Sequence, residues 1–206
     1  MTRDRLFAAA REIFEREGLG GLSVRAVARH AGLSPMAMYR HFADKDALLD
    51  ALMLDGFAAW EARVGAIEAE DPLEWLRRLF SAYLDFALAD PHRFDAAFLL
   101  PARGARKYPE DFLNGRSPAI SMIVARIKQA IDTGRFAPVE PLDAALTLAA
   151  LAQGYVTMQR AGRFGDEAYF RHSFTAACER GLALFKIDPY GAPGGRGAHG
   201  AAQHRK

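Results

Sequence analysis

The sequence holds one cysteine, Cys178, so no disulfide can form within the chain. It also lacks any apolar run near the roughly 20 residues that span a bilayer. Its first residues, MTRDRLFAAAREIF, thread charges through the apolar positions, which is not the pattern of a secretory signal. A cytoplasmic protein with no membrane partner is expected. Strand signals are nearly absent too: alternation of period two is never sustained, and apolar residues recur three and four apart. Enzyme signatures are missing, with no G-x-S-x-G, Walker loop, H-E-x-x-H or dinucleotide fingerprint. The histidines (His30, His41, His92, His172, His199 and His204) are scattered without metal-ligand spacing. A catalytic site, a metal and a cofactor are therefore not expected, and function is sought in binding.

What is present is a chain of 206 residues, 50% of them hydrophobic, enough for a real core. The formal charge is +2. Arg196, Arg205 and Lys206 against Asp188 account for all of it, so residues 1–187 are neutral overall. Net charge alone announces no nucleic-acid partner, but its distribution is uneven. Between residues 18 and 43 there is no acid, while Arg25, Arg29, His30, Arg40 and His41 fall there. An acid-free basic segment suits a phosphate-facing surface; an ordinary solvated face has the same composition.

Ala and Leu are plentiful and favour helix. Helix starts are marked by a residue followed by proline at Ser34-Pro35, Asp71-Pro72, Asp90-Pro91, Ser117-Pro118 and Glu140-Pro141. Proline loses nothing at a first helical position, and in the first four pairs the preceding side chain can cap. Glu140 is a weaker cap. These signals predict an all-α chain of about nine helices, near 3–17, 24–31, 35–41, 45–68, 72–89, 91–99, 118–133, 141–162 and 166–186. Residues 101–116 form a connector, with one turn around 110–113. The tail, 188–206, is rich in Gly and Pro with little to bury, and is predicted to be disordered. Cys178 sits in a helical apolar pattern and reads as a buried structural thiol.

The second and third helices with their short turn form a helix-turn-helix. Gly32 can close the second helix in a left-handed conformation. Met38 and Phe42, four apart, can face Ile13 and Phe14 of the first helix. Met36, Ala37, Arg40 and His41 then point outward, with Tyr39 beside them. In such a motif the second helix enters the major groove, and its first residues meet base edges.

Here the sequence resembles the DNA-binding domain of the TetR family of transcriptional regulators. The resemblance runs through AAREIFEREG, LSVRAVARHAGLS and MYRHFADKDALL, with Tyr39, His41, Phe42 and Lys45 as its most recognisable signature. It implies phosphate contacts from Tyr39, His41 and Lys45, the last beside exposed helix N–H groups. Ser23 can cap the second helix and also meet a phosphate, and Ser34 opens the recognition helix. Arg25 and Arg40 suit guanine O6 and N7, while Pro35, Met36 and Ala37 suit thymine methyls. Arg40 has an alternative partner in Asp44, and Arg29 and His30 read as solvated or paired rather than DNA-bound.

The resemblance further implies a DNA-binding domain over 1–48 and a helical regulatory domain over 49–187. That second domain is expected to bind a small-molecule effector and to form a homodimer on a double-stranded DNA operator, most simply as a repressor. The apolar stripe Leu142, Ala145, Leu146, Ala149, Ala152 and Val156 suits the dimer interface. So does the stripe Phe170, Phe174, Ala177, Gly181, Leu182 and Phe185, although either could pack within its own subunit. Expected effector contacts are Trp75, Tyr83, Phe86, His92, Phe94, Phe98, Phe112 and Gln153, for a largely apolar ligand. Arg103 and Arg106 lie in the connector and read as solvated, or as partners for an anionic ligand.

Overall fold

Each proline-marked start opens a helix in the computed structural model, which describes residues 2–187. The helices are α1 (Thr2–Gly21), α2 (Val24–His30), α3 (Pro35–Tyr39), α4 (Lys45–Gly65) and α5 (Pro72–Ala89). They continue with α6 (Pro91–Phe98), α7 (Glu110–Leu113), α8 (Pro118–Asp132), α9 (Pro141–Arg160) and α10 (Glu167–Ala183). The turn expected inside the connector is α7. Among the described residues no strand forms, only an isolated bridge between Phe136 and Lys186. The tail predicted to be disordered, 188–206, lies outside the described residues.

The starts hold for the anticipated reason in four cases. The Asp71 carboxylate accepts from the Leu73 and Glu74 amides, both at 2.9 Å. Ser34 accepts from Ala37, Asp90 from Arg93 and Glu140 from Leu142. Ser117 is the exception: its hydroxyl makes no cap bond and instead stands 3.4 Å from Arg106. In that case proline alone marks the start.

Two hydrophobic cores divide the chain. The first gathers Leu6, Ile13, Phe14, Val27, Met38 and Phe42 with Leu48, Leu49 and Leu52 of α4. The second collects α5, α8, α9 and α10 around Ala59, Trp60 and Val64 of the same α4. A single helix therefore belongs to both. It lies closest to α6 at Gly56, where an added Cβ would come within 2.7 Å of the Arg93 carbonyl oxygen and 2.9 Å of the Ala97 nitrogen. Only glycine lets the two backbones approach this closely. Nearby, the Arg93 guanidinium grips Asp55 across the same contact, with N···O distances of 2.8 and 2.9 Å.

The stripes assigned to a dimer interface sit mostly inside this chain's own core. Leu142, Ala145, Ala152, Val156, Phe170, Phe174, Ala177, Gly181 and Leu182 are all buried within the subunit. Leu146, Ala149 and Phe185 are half-buried, the first two against a cavity and Phe185 against Phe136. This corrects the expectation: these side chains fill the space that α9 and α10 share with α5 and α8. The faces left outward carry Ala150, Gly154 and Met158 on α9, and Tyr169, His172 and Leu184 at and beside α10.

Candidate nucleic-acid interface and effector cavity

The recognition helix α3 is too short to be stable alone, and its neighbours hold it. The Ser34 hydroxyl caps its first turn at 3.2 Å from the Ala37 nitrogen. Met38 is fully buried and Phe42 nearly so, which pins the inner face of the segment. The turn before it is closed by Gly32, whose φ of 64° suits glycine. There the Gly32 amide donates to the Arg29 carbonyl, and the Leu33 amide donates to the Ala28 carbonyl. This is the paired arrangement of a left-handed helix stop. The Arg5 guanidinium adds a bond to the Ala31 carbonyl at 2.9 Å.

With the inner face fixed, the outer face follows. Met36 is 68% exposed and Tyr39 54%. Ser23, Arg25, Ser34, Pro35, Arg40, His41 and Lys45 are exposed, and Ala37 is half-buried. Ser23 caps α2 by accepting from the Ala26 amide at 3.1 Å. Among the described residues Arg25, Arg40, His41 and Lys45 make no side-chain hydrogen bond or ion pair. In the body most arginines differ: Arg77, Arg93, Arg103, Arg106, Arg116 and Arg160 each pair with a carboxylate. His30 is also paired, 2.7 Å from Glu12.

Asp44 is not Arg40's partner. It caps α4 through the Ala47 amide at 2.8 Å and receives Arg103 at 2.9 Å. That backbone bond, helped by Arg103, holds its carboxyl below the usual range. Arg103 thus turns out to be a tie between the connector and the start of α4, next to Lys45.

The body contains a cavity of about 310 Å³, at the small end of ligand-site volumes. Its walls come from α4 (Met53, Phe57, Trp60), the end of α6 (Phe98), the connector (Arg106, Phe112), α8 (Ile120) and α9 (Leu146, Ala149, Gln153). A smaller space of about 70 Å³ adjoins it through shared Trp60, Phe98 and Gln153, and reaches Tyr83. Phe98 is the aromatic hub, 5.3 Å from Tyr83, 5.8 Å from Phe57 and 6.1 Å from Trp60 between ring centres.

Of the expected effector contacts, Tyr83, Phe98, Phe112 and Gln153 line these spaces. The others do not. Phe86 and Phe94 are fully buried packing. Trp75 donates its indole N–H to the Ile67 carbonyl, away from the cavity. His92 stacks edge-on against Phe14 between the two cores. Sequence reasoning missed Met53, Phe57 and Trp60, whose spacing of four and three marks one face of α4. It also set Arg106 aside, although that side chain is only 18% exposed.

A helix-turn-helix with a free basic face, carried on a larger all-helical body, defines the class of DNA-binding transcriptional regulators. Within that class the chain belongs to the TetR family. Residues 6–52 match the family of bacterial regulatory proteins of tetR type, and residues 76–180 match the tetracyclin repressor-like C-terminal domain. The chain is 32% identical over 145 residues to the HTH-type transcriptional repressor KstR2 of Mycobacterium tuberculosis, covering 66% of this chain and 70% of that protein. It is 42% identical over 53 residues to the HTH-type transcriptional regulator UidR of Escherichia coli, where the match spans 26% of this chain and 27% of that one. A protein of unknown function from a Rhodococcus species superposes with a TM-score of 0.74 at 26% identity, covering 91% of this chain and 96% of that one. A tetR-family regulatory protein from the same genus shares the fold, with a TM-score of 0.68 at 23% identity over 91% and 98% of the two chains. Three of these four relatives are named as transcriptional or regulatory proteins, and none as an enzyme. Among the described residues no helix is long and apolar enough to cross a membrane, and no cluster of side chains suits a metal ion.

Proposed function

We propose that this regulator is a homodimeric repressor of an inverted-repeat operator, released by a small effector bound in the cavity. The observation that carries the reading is the cluster of exposed, unpaired cations Arg25, Arg40, His41 and Lys45 on one face of the head, whereas most arginines of the body pair with a carboxylate. Ser23, Tyr39, His41 and Lys45 position the head on phosphates. Arg25 and Arg40 read base edges, with Met36, Ala37 and Pro35 supplying apolar contact and Ser34 opening the helix that carries them. Two heads must stand about 34–36 Å apart to enter successive major grooves, so a two-fold partner is needed. The outward faces of α9 and α10 suit that role: Ala150 and Gly154 allow close approach, and Met158, Tyr169 and Leu184 offer apolar area.

Release follows from α4, which is about 32 Å long and runs from Lys45 to the cavity wall. An effector that favours a different tilt of this helix changes the separation of the heads. The test is selection from random duplex DNA, beside a Tyr39→Ala, Arg40→Ala control. An enriched inverted repeat that the control loses supports the reading. No enrichment, with or without cell extract, overturns it.

A further inference from the structure

Arg106 is the one formal charge among the residues lining the cavity. Its guanidinium lies 4.3 Å above the Phe57 ring, reaches Ser117 at 3.4 Å, and donates to Glu61 of α4 at 2.9 Å. Both members of that ion pair are mostly covered, with side chains 18% and 24% exposed. The connector that supplies Arg106 touches α4 twice more. Arg103 holds Asp44, and the Gly104 amide donates to Asp50 at 2.9 Å. Three neighbouring connector residues therefore tie α4 at its start, its first third and its second half.

Resting on the reading of the cavity as the effector site, we propose that the effector is an anionic amphiphile. Its hydrocarbon body fills the apolar space, and its one anionic group, a carboxylate or the like, takes Arg106 from Glu61. A partly covered cation among apolar walls attracts an anion more strongly than it would in open water. The exchange supplies the difference between states that any effector needs. A neutral guest leaves the Arg106–Glu61 tie in place, whereas an anion removes it and leaves Glu61 to solvent. The freed connector then slackens its hold on Asp44, beside the phosphate-contacting Lys45.

The test uses the full chain in a Trp75→Phe background, so that Trp60 in the cavity wall is the only tryptophan. Fluorescence titrations compare matched acids and alcohols: straight chains of six to twelve carbons, and the naphthyl and adamantyl counterparts. The best acid should bind about tenfold more tightly than its alcohol, the scale of a hydrogen bond to a charged group. Arg106→Gln should bring the acid down to the alcohol without moving the alcohol, and Arg106→Lys should keep the preference. Glu61→Gln should tighten the acid alone, because it removes the competitor. Thermal unfolding of each variant confirms that it folds. Equal binding of acid and alcohol overturns the proposal but leaves the cavity reading intact. So does a Glu61→Gln variant that weakens the acid as Arg106→Gln does, since both would then merely break a structural tie. No binding by any acid or alcohol overturns the cavity reading as well.

Discussion

Gly56→Ala puts a methyl carbon where α4 and α6 meet backbone to backbone. It would stand 2.7 Å from the Arg93 oxygen and 2.9 Å from the Ala97 nitrogen. Both atoms belong to the α6 main chain, so neither can rotate aside as a flexible side chain would. Carbon needs about 3.5 Å, so the helices must part by roughly 0.8 Å at the closer contact. Two opposing effects set the result. Alanine in a helix interior is favoured over glycine by about 1 kcal/mol. Overpacking a close contact costs about 1–3 kcal/mol. The crowding wins here because the Asp55–Arg93 pair sits on the same contact and is disturbed with it. A net loss of about 1 kcal/mol is expected, or a fall in Tm of roughly 2–4 °C for a chain of this size. Urea unfolding at fixed protein concentration measures it, with Gly65→Ala as the comparison. Gly65 closes the same helix, and nothing lies within 4 Å of its would-be Cβ. That variant should be neutral or slightly stabilised. A Gly56→Ala protein as stable as its parent would refute the argument.

Met38→Ala should destabilise the head by about 2–5 kcal/mol, the range for emptying a fully buried site; urea unfolding showing under about 1 kcal/mol would mean the site collapses freely. Cys178 is buried, and desolvation pushes its thiol up to about 12. A thiol reagent at pH 8 should therefore find no fast-reacting group until the protein is unfolded, and rapid native labelling would contradict that. The Asp71 carboxyl is held below its ordinary value by the Glu74 amide, with Arg135 assisting. A depressed folded pKa gives stability that is present above the ordinary carboxylate value and lost as pH falls through the folded one. Asp71→Asn should thus flatten the fall in stability below about pH 4 and leave the slope at neutral pH unchanged.

Helix starts were legible because a cap followed by proline is a local signal that needs no partner. Asp71, Asp90 and Ser34 act as read, and Glu140 caps despite its poor rank. The inner face of the recognition helix was legible for a related reason. Met38 and Phe42 are the apolar pair at helical spacing, and burying them fixes where Arg40 and Tyr39 point. The use of the stripes on α9 and α10 was not legible. An apolar stripe has the same spacing whether it faces its own chain or a second copy, and only the position of α5 and α8 decides. Connector partners were hidden as well. Arg103 and Arg106 find Asp44 and Glu61 across 59 and 45 residues of chain, and no local pattern encodes such a meeting.

The helix shared by the two cores has a consequence for modularity. Leu52 serves the head and Ala59 the body, with only two turns of continuous helix between them. There is no hinge at which another DNA-reading head can simply be exchanged. One residue inserted between them would turn the head by about 100° and lift it about 1.5 Å relative to the body. In the proposed two-fold dimer that error would fall on both copies at once, and the pair would lose the groove together. A graft that preserves reading must therefore respect whole turns, or import α4 together with the connector that clasps it.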